Sequence, residues 1–495
     1  MSELTAKLDN WSDRLSPMVI KEVRQMVRGR EFSYSFGLAL VAGLLVAFIG
    51  LANAGDITGA AGGQIFTSLM VCLIVLGLVV VPLGAFNALR TERSDHTLDL
   101  ITQTALTPRR IVVGKLLTQG VKLVILFAGL APFVAMSFLL GGVDLQTILM
   151  GLAVLFLWSM WVSSVCLFVS AAAASRALSG ILFAVMTVGF FMLLGRFNYI
   201  WMPILGVGPA FAYGGVVVSS STMWWTIAGS TAFCFISMAN FVLLAENRLS
   251  LPIEDRSTSL RIGFLIQFLF IVAAIVGPLW AHAVGYTAGG VSASLGLFGG
   301  LQLALVSIFA TTEDMALSRR IIRNIKSSLH RPWFAVFRPG GGRATAWVMI
   351  QMLLLLGIGA TLTPLTGSEF TWLLGICSYI CFFSGVPACL GRLILKSRVR
   401  AAHLRVGTLV FSPVLMISAD LLQYFLKPEP LFQGGYTAYH ILNPFRTLSN
   451  WASVETAGWD LPVFLMGMIG LLAYILLIRI GQHETRNASI LHTSN

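Results

Sequence analysis

Runs of about twenty apolar residues recur along this chain from one end to the other, and they dictate the fold class. A helix of that length matches the hydrocarbon thickness of a bilayer. Twelve such runs are legible, at about 33–54, 64–88, 118–140, 147–172, 179–195, 224–246, 262–282, 291–311, 345–364, 370–390, 405–426 and 460–480. The chain is 57% hydrophobic and only 11% charged, and no stretch is long and polar enough to form a soluble domain. The expected fold is therefore all-α: a polytopic helical membrane protein of about 12 transmembrane helices.

A formal net charge of +12 would suit a nucleic-acid binder if it were gathered into a patch. Here the Lys and Arg residues sit in short loops on alternate sides of the apolar runs. That is the positive-inside pattern of a membrane protein, and nucleic acid is not an expected partner. With both termini in the cytoplasm, only Arg196, Lys427 and Arg446 fall outside. The first 30 residues are polar and the first apolar run is long, so a retained membrane helix is expected rather than a cleaved signal. The six cysteines, Cys72, Cys166, Cys234, Cys377, Cys381 and Cys389, all lie in or beside apolar runs. Without His or carboxylate company they read as small core residues, and no metal site is expected.

Residues 15–30 predict an amphipathic helix ahead of the first span. Ser16 can cap it and Pro17 can open it. Val19, Ile20, Val23, Met26 and Val27 share one face, with Lys21, Arg24 and Arg28 largely on the other. Such a helix suits the headgroup layer of an anionic leaflet, with membrane lipids as its partners.

The twelve spans divide into two sets of six, giving expected domains at 1–250 and 251–495. Pro209 and Pro444 lie in long aromatic loops before the sixth and twelfth spans. They are 235 residues apart, as are Pro17 and Pro252. Loops 89–117 and 312–344 also occupy corresponding places. A parallel repeat of this kind is a common way to build a transport path between two halves.

The most informative polar interruption runs from Arg90 to Lys115, R-T-E-R-S-D-H-T-L-D-L-I-T-Q-T-A-L-T-P-R-R-I-V-V-G-K. A simple connection between two spans needs only a few residues. Thr107 and Pro108 read as the cap and first residue of a helix. Arg109, Arg110 and Lys115 then make its opening basic. Glu92-Arg93, Thr97-Leu98-Asp99-Leu100, Leu106-Thr107-Pro108-Arg109 and Ile111 with Gly114-Lys115 follow a dense pattern. It resembles the signature E-R-x-x-G-T-L-E-L-L-L-x-x-P-L-[ST]-P-R-x-I-x-x-G-K of ABC-2-type transporter permeases. His96 stands for the usual Gly, Asp99 for Glu and Ala105 for Pro. The K-E-V-R-Q segment with Lys21, Glu22 and Arg24 is similar to the elbow helix of the same family. The resemblance covers about the first 250 residues. Loop 312–344 lacks the core of the pattern and keeps only a basic amphipathic segment with Arg319, Arg320, Arg323 and Lys326.

The resemblance implies a permease of two six-helix ABC-2-like halves that exports or flips a substrate across the cytoplasmic (inner) membrane. It implies an ABC ATPase subunit as partner, in two copies, with a second permease chain if one chain supplies only one half. Glu92, Arg93, Thr97, Asp99, Pro108, Arg109 and Lys115 would couple to the ATPase, and Lys21, Glu22 and Arg24 would serve the elbow helix. No cofactor is expected on this chain. G-x-x-x-x-G-K-[ST] does not occur, so ATP and Mg²⁺ would be bound by the partner. Paired carboxylates and H-E-x-x-H are absent too, so the chain is not expected to be an enzyme. Asp420, an acid within a span, is a candidate for the transport path. Ser292, Gly296 and Gly300 form a small-residue face for close helix packing. In the family, re-entrant segments before the last helix close the outer end of the path. One rival is a twelve-helix, ion-coupled carrier, which needs ionisable residues near the middle of the spans. A second is a membrane scaffold that transports nothing.

Overall fold

The computed structural model describes residues 17–53, 61–94, 107–141, 143–173, 180–184, 186–189, 220–250, 255–277, 294–315, 321, 336–363, 367–395, 401–426, 438–456 and 458–490. All regular structure among them is helical. Nine helices among the described residues are long and apolar enough to cross a membrane. The chain is a polytopic helical membrane protein. The nine coincide with nine of the expected spans. At the other three positions the described residues form shorter apolar helices, Gly180–Gly189, Leu295–Thr311 and His403–Leu415. The chain divides into two units, Met1–Ser250 and Leu251–Asn495.

Unit 1 begins with α1 (Pro17–Arg28) and α2 (Arg30–Asn53). A continuous rod follows, made of α3 (Ala61–Val75), a π-helical turn (Leu76–Val80) and α4 (Val81–Ser94). Then come α5 (Pro108–Leu139), α6 (Leu145–Ala172) and α7 (Ser220–Leu249). Leu69, Leu73, Leu78, Phe86, Leu123, Leu126, Leu155 and Leu167 fill the core between these helices. Leu38, Leu44, Leu45, Phe48 and Ile49 of α2 are exposed, as expected of a surface that faces lipid. The π turn takes one carbonyl out of the regular ladder, which is costly where no water can reach it. Ser159 of α6 donates to Gly77 O at 2.6 Å. Further along, Ser170 donates to Phe86 O of α4 at 2.8 Å.

Unit 2 contains α8 (Thr258–Val276), a π turn (Leu295–Gly299), α9 (Gly300–Thr311), α10 (Gly341–Leu362), α11 (Ser368–Leu395) and α12 (Ala401–Leu426). A 3₁₀ turn (Ala438–Leu442) and the short α13 (Pro444–Ser449) and α14 (Trp451–Thr456) precede α15 (Asp460–Ile490). Small residues let α11 and α15 approach closely. A Cβ on Gly470 would stand 2.4 Å from the backbone carbon of Cys381, and one on Gly467 would stand 2.4 Å from Ser378 Oγ. Gly296 and Gly300 receive Trp372 and Ile376 of α11, so the small-residue face is a packing surface. Ser292 lies outside the described residues.

The segment before α15 is held by its own chemistry. Asn443 caps α13 by accepting from Arg446 N at 3.2 Å, with Pro444 as first helical residue. Tyr379 Oη donates to Ile441 O at 2.6 Å, Trp372 Nε1 to Leu448 O at 3.0 Å, and Trp451 Nε1 to Thr371 Oγ1 at 3.1 Å. Trp451 is buried over Gly375, where a side chain would collide with the indole. The corresponding loop of unit 1, residues 196–219, lies outside the described residues.

Each unit, taken by itself, follows one internal plan. Its second apolar helix carries a π turn and leads to a carboxylate, Glu92 in one and Glu313 in the other. Its third helix packs on the second and on the last, α5 on α3 and α7, α10 on α9 and α15. Its fourth helix packs on the last, α6 on α7 and α11 on α15.

Candidate functional site

The site in unit 1 is built on the first four turns of α5. Thr107 is extended and its carbonyl accepts from Arg110 N at 2.9 Å, with Pro108 opening the helix. The Thr107 hydroxyl makes no capping hydrogen bond, so the start is set by the proline and the backbone. Arg109 and Arg110 are exposed, whereas Ile111 and Val112 are buried. The helical period then places Lys115, Thr118, Gln119 and Lys122 on a single inward face. They are 2, 5, 6 and 5% exposed, a buried polar stripe on a membrane helix.

Lys115 is the centre of that stripe. Its Nζ donates to Glu92 Oε1 at 2.7 Å and to Glu22 Oε1 at 3.0 Å. Thr118 Oγ1 lies 3.4 Å from the other oxygen of Glu22 and donates to Gly114 O at 3.0 Å. One ammonium thus ties α1, α4 and α5 together. The amphipathic period of α1 explains how Glu22 arrives there. Val19 is buried on the inner side, while Lys21, Arg24 and Arg28 are exposed. Burial raises the pKa of Glu22 above the ordinary carboxylate value, outweighing Lys115, and the like charge of Glu92 adds to the rise.

The structure therefore brings together three of the residues singled out from sequence, Glu22, Glu92 and Lys115. Lys115 lies inside the unit, whereas Arg109, Lys21 and Arg24 are on its surface. Arg93 falls near the end of α4, but its side chain lies outside the described residues, as do Thr97 and Asp99 entirely. Asp420 falls within α12, and its side chain also lies outside them.

Unit 2 has a buried ion network at the corresponding junction, which sequence reading missed. Arg261 Nη2 meets Glu313 Oε2 at 2.5 Å, and its Nη1 donates to the carbonyls of Val336 and Arg338 at 2.7 and 2.5 Å. Ser257 Oγ donates to Glu313 Oε1 at 2.5 Å, and Gly340 N donates to the same oxygen at 3.2 Å. Burial pushes the pKa of Glu313 up, but Arg261 and these donors prevail and hold it below the ordinary value. Gly340 has φ +128°, a conformation that favours glycine, and it lets the chain turn into α10 beside Glu313. Arg392 adds hydrogen bonds to the carbonyls of Thr311 and Glu313. The network joins the start of α8, the chain after α9 and the start of α10. The carboxylate again follows the second apolar helix, as Glu92 does in unit 1, but the cation comes from the first apolar helix, α8, rather than from the third.

Lys122 and Gln119 were also overlooked in the sequence, since a lone lysine near the end of an apolar run reads as a boundary residue. Their signal was the spacing from Lys115, four and seven residues on, which is one helix face. Among the described residues, no group of three or more His, Cys, Asp and Glu could hold a metal ion. No family model, curated protein or solved structure matches the chain.

Proposed function

We propose that the chain is the membrane permease of an ABC-2-type transporter, moving its substrate outward or between leaflets of the cytoplasmic membrane. Separate ATPase subunits, two per transporter, bind ATP and Mg²⁺. On this reading the twelve expected spans form two six-helix halves with both termini cytoplasmic, α1 is the elbow helix, and the helices before α15 form a re-entrant outer closure. The matching internal plan of the two units supports the two-half arrangement.

The observation that carries the proposal is the position of Lys115. The exposed Arg109 and Arg110 stand at the head of a helix that is joined by one buried ammonium to α1 and α4. A force applied to loop 90–115 would reach three elements together rather than dissipate in a flexible connection. A lever of this form suits a permease driven by a partner that binds from the cytoplasm. The basic surface of α1 and the apolar spans suit lipid-like or amphiphilic cargo.

The test is purification of the tagged full chain in mild detergent, with mass spectrometry and an ATPase assay. An Arg109→Glu, Arg110→Glu variant is run in parallel. An ATPase subunit is expected with the wild type, and its loss or uncoupling in the variant, with thermal stability unchanged because both side chains are exposed. Absence of any ATPase from the wild type, with normal behaviour of the variant in cells, would overturn the proposal.

A further inference from the structure

We propose that Lys122 and Gln119 of α5, facing Gly84 of α4, form a binding site inside unit 1 for an anionic head group, a phosphate or carboxylate. The inference holds whether or not an ATPase drives the chain.

Lys122 lies within the apolar span Pro108–Leu139 and is nine-tenths buried. Its ammonium makes no ion pair or hydrogen bond with the described residues. Among the described residues, the charge that acts on it is that of Glu31, at the exposed start of α2 and beyond ion-pair distance. The carboxylates of the Lys115 cluster, Glu22 and Glu92, are held by Lys115 and Thr118, and neither makes an ion pair or hydrogen bond with Lys122. An ammonium held in a membrane helix without a partner is costly and marks a place where an anion is received.

A second orphan group points to the same spot. Gln119 Oε1 is buried with no hydrogen-bond partner. The two side chains converge on Gly84: Lys122 Nζ lies 3.2 Å, and Gln119 Oε1 3.5 Å, from where a Cβ at that residue would stand. The missing side chain leaves an approach between them. The oxygen and nitrogen of an amide are assigned from their partners. With its amide turned, Gln119 offers two N–H donors beside the ammonium, a donor set for phosphate or carboxylate oxygens. In unit 2, Gln351 of the third helix is likewise fully buried with both amide atoms unpartnered. Leu354 stands three residues further on, where unit 1 has Lys122, so no matching ammonium accompanies it and the anion site belongs to unit 1.

The test uses the purified full chain in neutral detergent, without ATPase. Thermal unfolding is followed as phosphatidylglycerol, phosphatidylcholine or inorganic phosphate is titrated in. Phosphatidylglycerol is expected to raise Tm. Lys122→Met is expected to weaken its apparent affinity about tenfold or more, the worth of a charge-assisted hydrogen bond, and Lys122→Arg to retain it. Glu31→Gln is expected to strengthen it by removing a competing charge. If inorganic phosphate alone reproduces the shift in a Lys122-dependent way, the site stands and takes soluble anions. If phosphatidylglycerol acts equally on wild type and Lys122→Met, the proposal fails. Should Lys122→Met not fold, Gly84→Ala decides, because it keeps the charge and fills the approach: an unchanged response to phosphatidylglycerol would overturn the site.

Discussion

Lys115 Nζ stands 2.7 Å from Glu92 Oε1, although 23 residues separate them in sequence, and the same nitrogen reaches Glu22 from a third element. Removing the cation leaves two carboxylates facing each other in a buried setting. Lys115→Met is expected to destabilise unit 1 by about 3–5 kcal/mol, the cost of breaking a buried pair from one side. Adding Glu22→Gln and Glu92→Gln should restore most of it. Thermal unfolding of the wild type, the three single variants and the triple variant in one detergent checks this, and full additivity of the single effects would show that the three residues do not act as a unit.

The two ion networks respond to pH with opposite sign. Glu313 is held below the ordinary value of 4.5, so its contribution is present above that value and is lost as pH falls through the depressed pKa. Glu22 is raised, so its contribution is present below 4.5 and is lost as pH rises through the elevated pKa. The Tm deficit of Glu313→Gln should accordingly shrink on acidification below 4.5. That of Glu22→Gln should be larger at pH 4 than at pH 7. Parallel trends in the two variants would contradict the assigned environments.

Glycines in unit 2 divide sharply by surroundings. At Gly470 an added methyl meets the backbone of Cys381 and Phe382 at 2.4–2.5 Å, where no side chain can turn aside. Gly470→Ala is expected to cost at least about 1–3 kcal/mol through overpacking of α11 against α15. Gly357 and Gly407, within helices, have nothing within 4 Å. Alanine there is expected to stabilise by about 0.4–1 kcal/mol. Equal Tm shifts at the three positions would refute the close approach of α11 and α15.

The segment before α15 offers a cap test. Asn443→Ala removes the acceptor for Arg446 N and should lower stability by about 1 kcal/mol. Trp451→Ala empties the space over Gly375 and should cost about 3–5 kcal/mol. Protease sensitivity of residues 438–456 should rise in both variants, and more so in the second.

The apolar runs announced the nine long helices because length and polarity alone decide whether a segment suits a bilayer. The start of α5 was legible for an equally local reason, since Thr107-Pro108 acts within one turn. The pairing of Lys115 with Glu22 and Glu92 was not legible. Ion pairs that join separate helices depend on how the helices pack, and no spacing in the chain records it. Arg261 and Glu313 escaped for the same cause, and Glu313 resembled an ordinary loop acid. Lys122 was hidden differently: its stripe with Lys115 and Gln119 is a local pattern, but the surrounding leucines and valines masked it.

The π turns at Leu76–Val80 and Leu295–Gly299 each amount to one extra residue accommodated in a helix. Everything downstream is therefore rotated by about 100° from where an uninterrupted α-helix would have carried it. Glu92 points at Lys115 only because that angular offset precedes it. Deleting one residue from 76–80 would leave composition and hydropathy almost untouched, yet swing Glu92 off the Lys115 face. The insertion works as an indexing step, setting the phase of the rod so that its charged end meets its partner.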